Sequence, residues 1–285
     1  LGEWGINQKS PIKKQQIDIF SILMIVFMFC GFVTGFSNLG SQAFMTFSVG
    51  GALLIGILGM GLFAWRSLIL EEPILQLRLF RNKNFSGHVL GFFLTQLISL
   101  GFAFLLPNYI QLVNGNSAMT AGLIVLPAGF VGAIFAPLGG RILDKLGARK
   151  PILIGTSLCL LALIAFTISG RHLTNIFIAL VYILYMGGMG MCMGCVMTSA
   201  LTVVGKEKQS QGNALLNTLQ QFAGAIGTSL VAMIVAANQS HLNVVRRVST
   251  AIGTQEAFGM LTVFCIIIWI SYYRSVKNKI LKNSG

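Results

Sequence analysis

The stretch Gly139-Gly140-Arg141-Ile142-Leu143-Asp144-Lys145-Leu146-Gly147-Ala148-Arg149-Lys150 decides the fold, because it is a short charged gap between two long apolar runs. Four of its residues are cations, and Asp144 is one of only seven acidic residues in the chain. Gly140 and Gly147 permit a tight turn, since glycine reaches backbone conformations that other residues avoid. A carboxylate in this setting can form a latch that holds in one conformation and releases in another. The alternative is an ordinary basic loop.

Eight apolar runs extend outward from this gap in both directions. A helix needs about 20 residues to cross a bilayer, and the runs have that length without a charge in their central portions. They occupy residues 17–37, 44–65, 86–107, 120–139, 151–169, 175–197, 213–237 and 255–273. With 55 % hydrophobic and 9 % charged residues, the 285-residue chain is excluded from the soluble, disordered and disulfide-rich classes. The sequence predicts an all-α polytopic membrane protein with eight transmembrane helices.

The basic residues predict the topology. Seventeen of the 20 lie before the first run or in every second gap after it, and the remaining three are Arg171, Arg246 and Arg247. Because cytoplasmic loops collect Lys and Arg, both ends of this chain are expected in the cytoplasm. The net charge of +13 therefore describes membrane topology, and no nucleic-acid partner is expected.

Three segments resemble a known transporter family. Gly140, Asp144, Lys145, Gly147 and Arg149 match the loop signature of the major facilitator superfamily, which lies between the second and third helices of each six-helix half. The segments Pro-Ile-Leu-Gln-Leu-Arg-Leu-Phe-Arg-Asn (73–82) and Gly-Asn-Ala-Leu-Leu-Asn-Thr-Leu-Gln-Gln (212–221) resemble the fourteen-helix drug:proton antiporters of the EmrB/QacA type. The resemblance implies that the five loop residues form the cytoplasmic conformational latch.

The same resemblance implies a domain organisation. The chain would be the C-terminal portion, helices seven to fourteen, with an N-terminal six-helix half expected upstream; the first residue, Leu1, also suggests a fragment. The implied parts are a cytoplasmic loop (1–16), two linking transmembrane helices (17–65), a cytoplasmic amphipathic connector (66–85), the C-terminal six-helix transporter bundle (86–273) and a cytoplasmic basic tail (274–285).

The activity implied by the resemblance is proton-driven multidrug efflux by alternating access in a plasma membrane, with bacteria as the expected source. Its partners would be the lipid bilayer and amphipathic or cationic small molecules, and its energy source the proton gradient, without a cofactor. All seven acidic residues lie at span ends or in loops, so the coupling carboxylates are expected elsewhere. The open alternatives are an exporter of a metabolite, lipid or peptide, and a truncated fragment that does not transport.

Polar uncharged residues within or beside the runs are the candidates for the substrate path. Amides in a membrane must face a protein neighbour or water, so these side chains either line a solute cavity or join helices to one another. Asn213, Asn217, Gln220 and Gly224 follow one another at helical spacing and share one face. The full set of candidates is Gln96, Asn108, Tyr109, Tyr185, Asn213, Asn217, Gln220 and Gln221.

The run 175–197 carries Gly187, Gly190 and Gly194 on one helical face, which predicts close packing against another helix. Methionines flank this face, and their flexible side chains suit either a surface that fits many ligands or plain core filling. Nucleotide-binding and zinc-protease signatures were not found in the sequence. Neither an enzyme nor a metal site is expected.

Overall fold

A computed structural model describes residues 18–39, 42, 45–70, 73–81, 83–147, 149–204, 208–241 and 245–281, without the side chains of 83–84, 143–146, 149, 241 and 274–281. The secondary structure of this part is helical, and eight of its helices are long and apolar enough to cross a membrane, which confirms the predicted fold class. The helices are α1 (Ile19–Asn38), α2 (Ala52–Ile69), α3 (Lys83–Leu112), α4 (Ala118–Leu146), α5 (Arg149–Ser169), α6 (Asn175–Val204), α7 (Gln209–His241) and α8 (Arg246–Leu281).

Several helices extend past the apolar runs that predicted them. The third run was expected to end at Pro107, but α3 continues through this proline to Leu112. Membrane helices tolerate an internal proline because neighbouring groups satisfy the freed backbone atoms. The fourth run was expected to end at Gly139, but α4 continues to Leu146. The length of an apolar run reflects the thickness of the hydrocarbon layer. The helix itself can continue beyond that run until it reaches a residue that ends a helix.

Helices α1 and α2 form an antiparallel hairpin whose backbones touch. A Cβ atom added to Gly31 would collide with the backbone of Gly56, so only glycine fits at this crossing. Where α1 begins and α2 ends, the Asp18 carboxylate accepts two hydrogen bonds from the Arg66 guanidinium, at 2.7 and 2.9 Å. The hairpin is therefore held by packing in the membrane and by an ion pair at its edge.

The segment between α2 and α3 folds back on the hairpin. Residues Leu77–Arg81 form a short 3₁₀ helix, and Leu75 and Leu79 are buried beside Phe63 of α2. The Arg78 guanidinium donates to the Leu68 carbonyl oxygen at 2.8 Å. In this part of the predicted connector, Leu75 and Leu79 face the protein, whereas Phe80 and the two arginines are exposed.

Helix α3 is the most buried element of the six-helix bundle formed by α3–α8, and it contacts α6, α7 and α8. Helix α6 packs between α4 and α5, while α8 packs against both α5 and α7. Helix α4 is the least buried of the eight. The hairpin α1–α2 joins the bundle through α7, where Phe222 contacts the rings of Phe29 and Phe32 at centroid distances of 5.3 Å.

An aromatic cluster fills the centre of the bundle. The ring of Phe102 in α3 stacks on Tyr185 of α6 with centroids 4.5 Å apart, and it contacts Phe166 of α5 and Phe258 of α8 at 5.3 Å. These four side chains are almost completely buried. Because the cluster joins four helices, it fixes α3 and leaves the opposite side of that helix available for a site.

Candidate functional site

Three helices form a continuous wall on the side of α3 that faces away from the aromatic cluster. Helix α7 approaches α3 closely, because Gly224 lies against Leu100 and Gly227 against the backbone of Leu97. On its other flank α3 contacts α6, where the Gln96 amide lies 3.7 Å from the Met193 sulfur. We call this surface of α3, α6 and α7 the three-helix wall.

The amide side chains of α7 differ in exposure: some belong to the three-helix wall and others pack inside the bundle. Asn217 and Gln221 are exposed, and helical geometry places them between the α3 contact at Gly224 and the α1 contact at Phe222. Gln220 is half-buried and turned towards the bundle. The shared face predicted from spacing therefore splits into an open part and a part that packs on a neighbour.

Asn213, near the start of α7, is also half-buried, and its Oδ1 atom is enclosed without a hydrogen-bond donor in the described part of the chain. Asn108 of α3 has an enclosed Oδ1 atom with the same property. An enclosed amide oxygen without a donor costs free energy, so such atoms mark places where a water molecule or another polar group fits. Both residues remain predictions as substrate contacts.

Gln96 supplies the polar centre of the wall. Its side chain is only 8 % exposed, yet the neighbouring surface of α3 opens at Ala103. Met193 of α6, which contacts the Gln96 amide, is half-buried, and Met186 and Met197 are half-buried on the same side of that helix. The wall thus combines an amide with flexible apolar side chains, which together can hold molecules of different shapes.

The two predicted tyrosines have supporting positions. Tyr185 is 1 % exposed within the aromatic cluster. Tyr109 is also 1 % exposed, and its hydroxyl oxygen accepts a hydrogen bond from the Leu173 backbone N–H at 3.1 Å. In this conformation Tyr185 stabilises the bundle core and Tyr109 anchors the loop between α5 and α6.

The predicted latch is described in part. Gly147 has φ = 72° and follows the last residue of α4, so it ends this helix in a left-handed conformation that favours glycine. Gly140 was also expected in the turn, and that expectation is wrong because Gly140 lies inside α4. The side chains of Asp144, Lys145 and Arg149 lie outside the described residues, so their role stays a prediction.

The three small residues of α6 all face α4. A Cβ on Gly190 would lie 2.5 Å from the Gly132 carbonyl oxygen, while Gly187 and Gly194 lie near Val131 and Ala136 at 3.6 and 3.5 Å. The α4–α6 seam therefore has its closest backbone approach at Gly190.

Carboxylates are absent from the three-helix wall as far as its side chains are described. Asp18 pairs with Arg66 at the edge of the hairpin, and this guanidinium together with the Ser21 hydroxyl holds the pKa of Asp18 well below its usual value. Glu256 is exposed and accepts a hydrogen bond from Asn238 at 2.7 Å. The wall can therefore bind solutes through amides and apolar contacts, without an acidic group among the described ones.

A comparison of the sequence with models of protein families identifies the family of this chain. The model of the Major Facilitator Superfamily matches residues 64–228, which is more than half of the chain. The chain belongs to the Major Facilitator Superfamily. The matched residues include the end of α2, the connector between α2 and α3, and the helices α3 to α6 with the loop motif. They also include α7 as far as Thr228.

Three curated relatives of this chain come from bacteria. The Lincomycin resistance protein LmrB of Listeria innocua is 30 % identical over 253 residues, covering 89 % of this chain and 53 % of the relative. The LmrB protein of Bacillus subtilis is 31 % identical, with 90 % and 56 % covered, and the Multidrug resistance protein B homolog of Mycobacterium tuberculosis is 26 % identical, with 87 % and 46 % covered. The chain spans about half the length of these relatives.

A solved structure has the same fold. It is a bacterial homolog of the human lysosomal transporter Spinster in an inward-facing and occupied conformation, with a TM-score of 0.59 at 17 % identity. The match covers 89 % of this chain and 66 % of the solved one. The superfamily membership and the eight helices together identify a multi-pass membrane protein.

Two features of the structure could not be predicted from the sequence. The apolar part of the wall, around Leu100 and Ala103, has no polar signal that could have revealed it. A second cavity, at the end of the bundle that carries Arg171 and Arg247, is built from three segments that are distant in sequence. Its only signal was the presence of arginines in gaps that otherwise contain no basic residues.

Proposed function

We propose that the chain is the C-terminal part of a fourteen-helix drug:proton antiporter that exports amphipathic or cationic small molecules from bacterial cells. The observation that carries the proposal is the three-helix wall, because it presents amides and methionines on a surface without a carboxylate among its described side chains. The names of the relatives, which refer to lincomycin and multidrug resistance, agree with it. Both ends of the chain would lie in the cytoplasm.

The wall fits solutes of varied shape for a physical reason. Asn217 and Gln221 offer donors and acceptors that reorient with little cost, and Gln96 adds a third amide from α3. Half-buried methionines adapt to apolar bodies because they have three rotatable bonds and a polarizable sulfur. A surface of this kind selects for amphipathic character rather than for one molecule.

Helix α4 supports the proposal that a second six-helix half precedes this chain. Its outward face carries Met119, Leu123, Leu126, Phe130 and Ile134, all more than half exposed. Between α4 and Tyr182 of α6 runs an open groove of about 480 Å³, lined by Gly122 and Gly129. In the complete transporter this face would contact the other half, and rocking between the halves would open the wall to either side of the membrane.

Proton coupling is the second element of the proposal. The described side chains of the wall include no carboxylate, so the proton-binding groups would belong to the half that precedes this chain. Export should therefore stop when a protonophore collapses the proton gradient while cellular ATP is kept constant. Export that continues under this treatment would contradict proton coupling but not the assignment of the wall.

The wall is tested by comparing drug profiles. In an efflux-deficient bacterial host, the complete protein carrying Asn217→Ala or Gln221→Ala should change the resistance ratio between drugs by about tenfold, the effect of roughly 1.4 kcal/mol. The matched control is Gln239→Ala, which removes an amide from the same helix at a position where it donates to Thr250 at 2.7 Å. The control should leave the ratio between drugs unchanged.

Two results would contradict this assignment. If both wall variants keep the wild-type profile at equal protein abundance, the amides join helices and do not contact solutes. If Gln239→Ala changes the profile to the same extent, the effect comes from a general loss of α7 packing. A complete protein that confers resistance to no drug, yet exports a labelled lipid or peptide, would replace the cargo and keep the fold.

A further inference from the structure

A cavity of about 930 Å³ opens at the end of the bundle opposite to the basic gaps. Three separate segments form it: the turn after α3, the loop between α5 and α6, and the start of α8. Its polar lining consists of Tyr109, Asn114, Asn116, Arg171, His172, Thr174, Asn175 and Arg247. We call it the loop cavity.

The charge of the described part of the loop cavity is positive. Arg171 and Arg247 line it together with His172, and no carboxylate is among the described lining residues. The Arg171 Nε atom donates to the neutral Gln255 side chain at 2.7 Å, so this contact orients the guanidinium without cancelling its charge. Neither arginine forms an ion pair with a carboxylate in the described part of the chain. The nearby Glu256 instead accepts from Asn238.

These arginines stand out against the topology of the chain. Only three of the 20 basic residues lie at this end, and two of the three line one cavity. Cations on this side oppose the usual distribution of charge in membrane proteins. Both guanidinium groups line the same cavity and attract negative charge, so an anion bound in that cavity would lower the free energy.

Hydrogen bonds hold the floor of the loop cavity in a fixed geometry. The Asn114 side-chain amide donates to the Leu173 carbonyl oxygen at 3.1 Å and to Asn175 Oδ1 at 2.7 Å. The Asn175 amide in turn donates to Asn116 Oδ1 at 2.8 Å, and the Leu173 N–H donates to the Tyr109 hydroxyl. Because these bonds join two loops, a ligand would meet a preorganised surface and the ordering cost of binding would be small.

The remaining lining of the cavity is apolar. Val113, Leu173, Val248, Ala251 and Ile252 form this part, next to the two guanidinium groups. The volume lies within the range of about 300–1,000 Å³ that is typical of small-molecule sites. Cations beside an apolar surface suit a molecule with an anionic head and an apolar body.

We propose that the loop cavity binds an oxyanion, a phosphate or carboxylate group, which Arg171 and Arg247 hold and whose apolar body contacts Val248 and Ile252. Guanidinium groups bind such anions through short, charge-assisted hydrogen bonds. In the proposed topology this end of the bundle lies outside the cell, where the anion could belong to a lipid headgroup of the outer leaflet or to a free solute, and the chemistry of recognition is the same. The loop cavity shares no residue with the three-helix wall, so its test does not depend on the proposed drug contacts.

Three soluble probes test the site on the complete protein in a neutral detergent. Dihexanoyl phosphatidylglycerol carries the anion with short chains, glycerol phosphate carries the anion alone, and dihexanoyl phosphatidylcholine carries the chains without net charge. Calorimetry should give an affinity for the phosphatidylglycerol at least about tenfold above that for the phosphatidylcholine. Binding of the anionic lipid alone would identify a lipid headgroup, and equal binding of glycerol phosphate would identify a free anion; both results support the site.

The chain offers a matched control variant. Arg171→Gln with Arg247→Gln should weaken binding of the phosphatidylglycerol by about tenfold or more, because both charge-assisted contacts are lost. Arg246→Gln removes the same charge one residue away but outside the cavity lining, and it should change the affinity by less than about twofold. Val248→Glu places a carboxylate at a position that is 48 % exposed, and it should abolish binding while the fold is kept.

The proposal is overturned if the anionic and zwitterionic lipids bind equally, or if none of the probes binds to a protein that melts as the wild type does. It is also overturned if Arg246→Gln weakens binding as much as the double variant, because the effect would then come from general charge. Melting curves recorded without ligand separate loss of binding from loss of fold.

Discussion

The seam between α4 and α6 gives a sharp prediction, because two glycines on the same helix face differ in the space beside them. A Cβ at Gly190 would lie 2.5 Å from the Gly132 carbonyl oxygen and 3.2 Å from the Ala136 backbone nitrogen. A Cβ at Gly194 would lie 3.5 Å from the Ala136 carbonyl oxygen, an ordinary contact distance. The substitution to alanine should therefore be costly at the first position and harmless at the second.

The magnitude follows from the displacement that the new atom requires. Cβ atoms do not approach other heavy atoms within 3.0 Å, so α4 and α6 must separate by at least 0.5 Å at Gly190. Because the opposing atom belongs to the backbone, a side-chain rotation cannot relieve the contact. Overpacking of this kind costs about 1–3 kcal/mol. Alanine favours the helix over glycine by about 1 kcal/mol, but this gain is shared by both variants and cancels in their difference.

The assay is the unfolding of the purified protein in detergent, followed by circular dichroism as temperature rises. Gly190→Ala should melt several degrees below Gly194→Ala, and Gly61→Ala in α2, which meets no atom within 4 Å, should melt at or above the wild-type temperature. Equal melting temperatures for Gly190→Ala and Gly194→Ala would refute the close approach. A Gly194→Ala variant that melts lower than Gly190→Ala would place the closest approach of the two helices one turn further along α6.

Two further predictions concern charged groups. Asp18→Asn should lower the melting temperature at neutral pH because it removes the ion pair with Arg66. Arg66 depresses the pKa of Asp18 below its ordinary value of 3.8, so the stabilisation by this ion pair is present above pH ~3.8 and is lost as the pH falls from there through the depressed pKa. Melting curves of the variant and the wild type that stay equally far apart down to pH ~2 would contradict this ion pair. Asp144→Asn should reduce drug efflux while membrane insertion and abundance stay unchanged, and unchanged efflux at equal abundance would rule out a latch.

The transmembrane spans could be predicted because lipid imposes one strong condition on every crossing segment. Each of the eight apolar runs corresponds to one helix, since the backbone can satisfy its hydrogen bonds in no simpler way. The ends of the helices could not be predicted, because they depend on local signals. Helix α4 passes Gly140 and stops at Gly147, and both glycines look alike in the sequence.

For the candidate site, the types of residue could be predicted from the sequence, but the arrangement of the helices around them could not. Spacing placed Asn217, Gln220 and Gly224 on one face, but it could not say where the neighbouring helices lie. In the structure α3 covers Gly224, leaves Gln220 half-buried and leaves Asn217 exposed. The loop cavity was harder to predict, because Arg171 and Arg247 are far apart in sequence and the contact between their segments belongs to the tertiary structure.

The positions of the glycines explain why the three-helix wall is open. Gly224 and Gly227 hold α7 tightly against α3, and Gly190 holds α6 tightly against α4. Helices α6 and α7 are thus drawn towards different partners, and they meet where Gly212 contacts Leu201 and Val204, next to their connecting loop. Beyond this contact α7 packs closely on α3, while α6 packs closely on α4. The opening that a solute needs is therefore produced by close packing on either side of it.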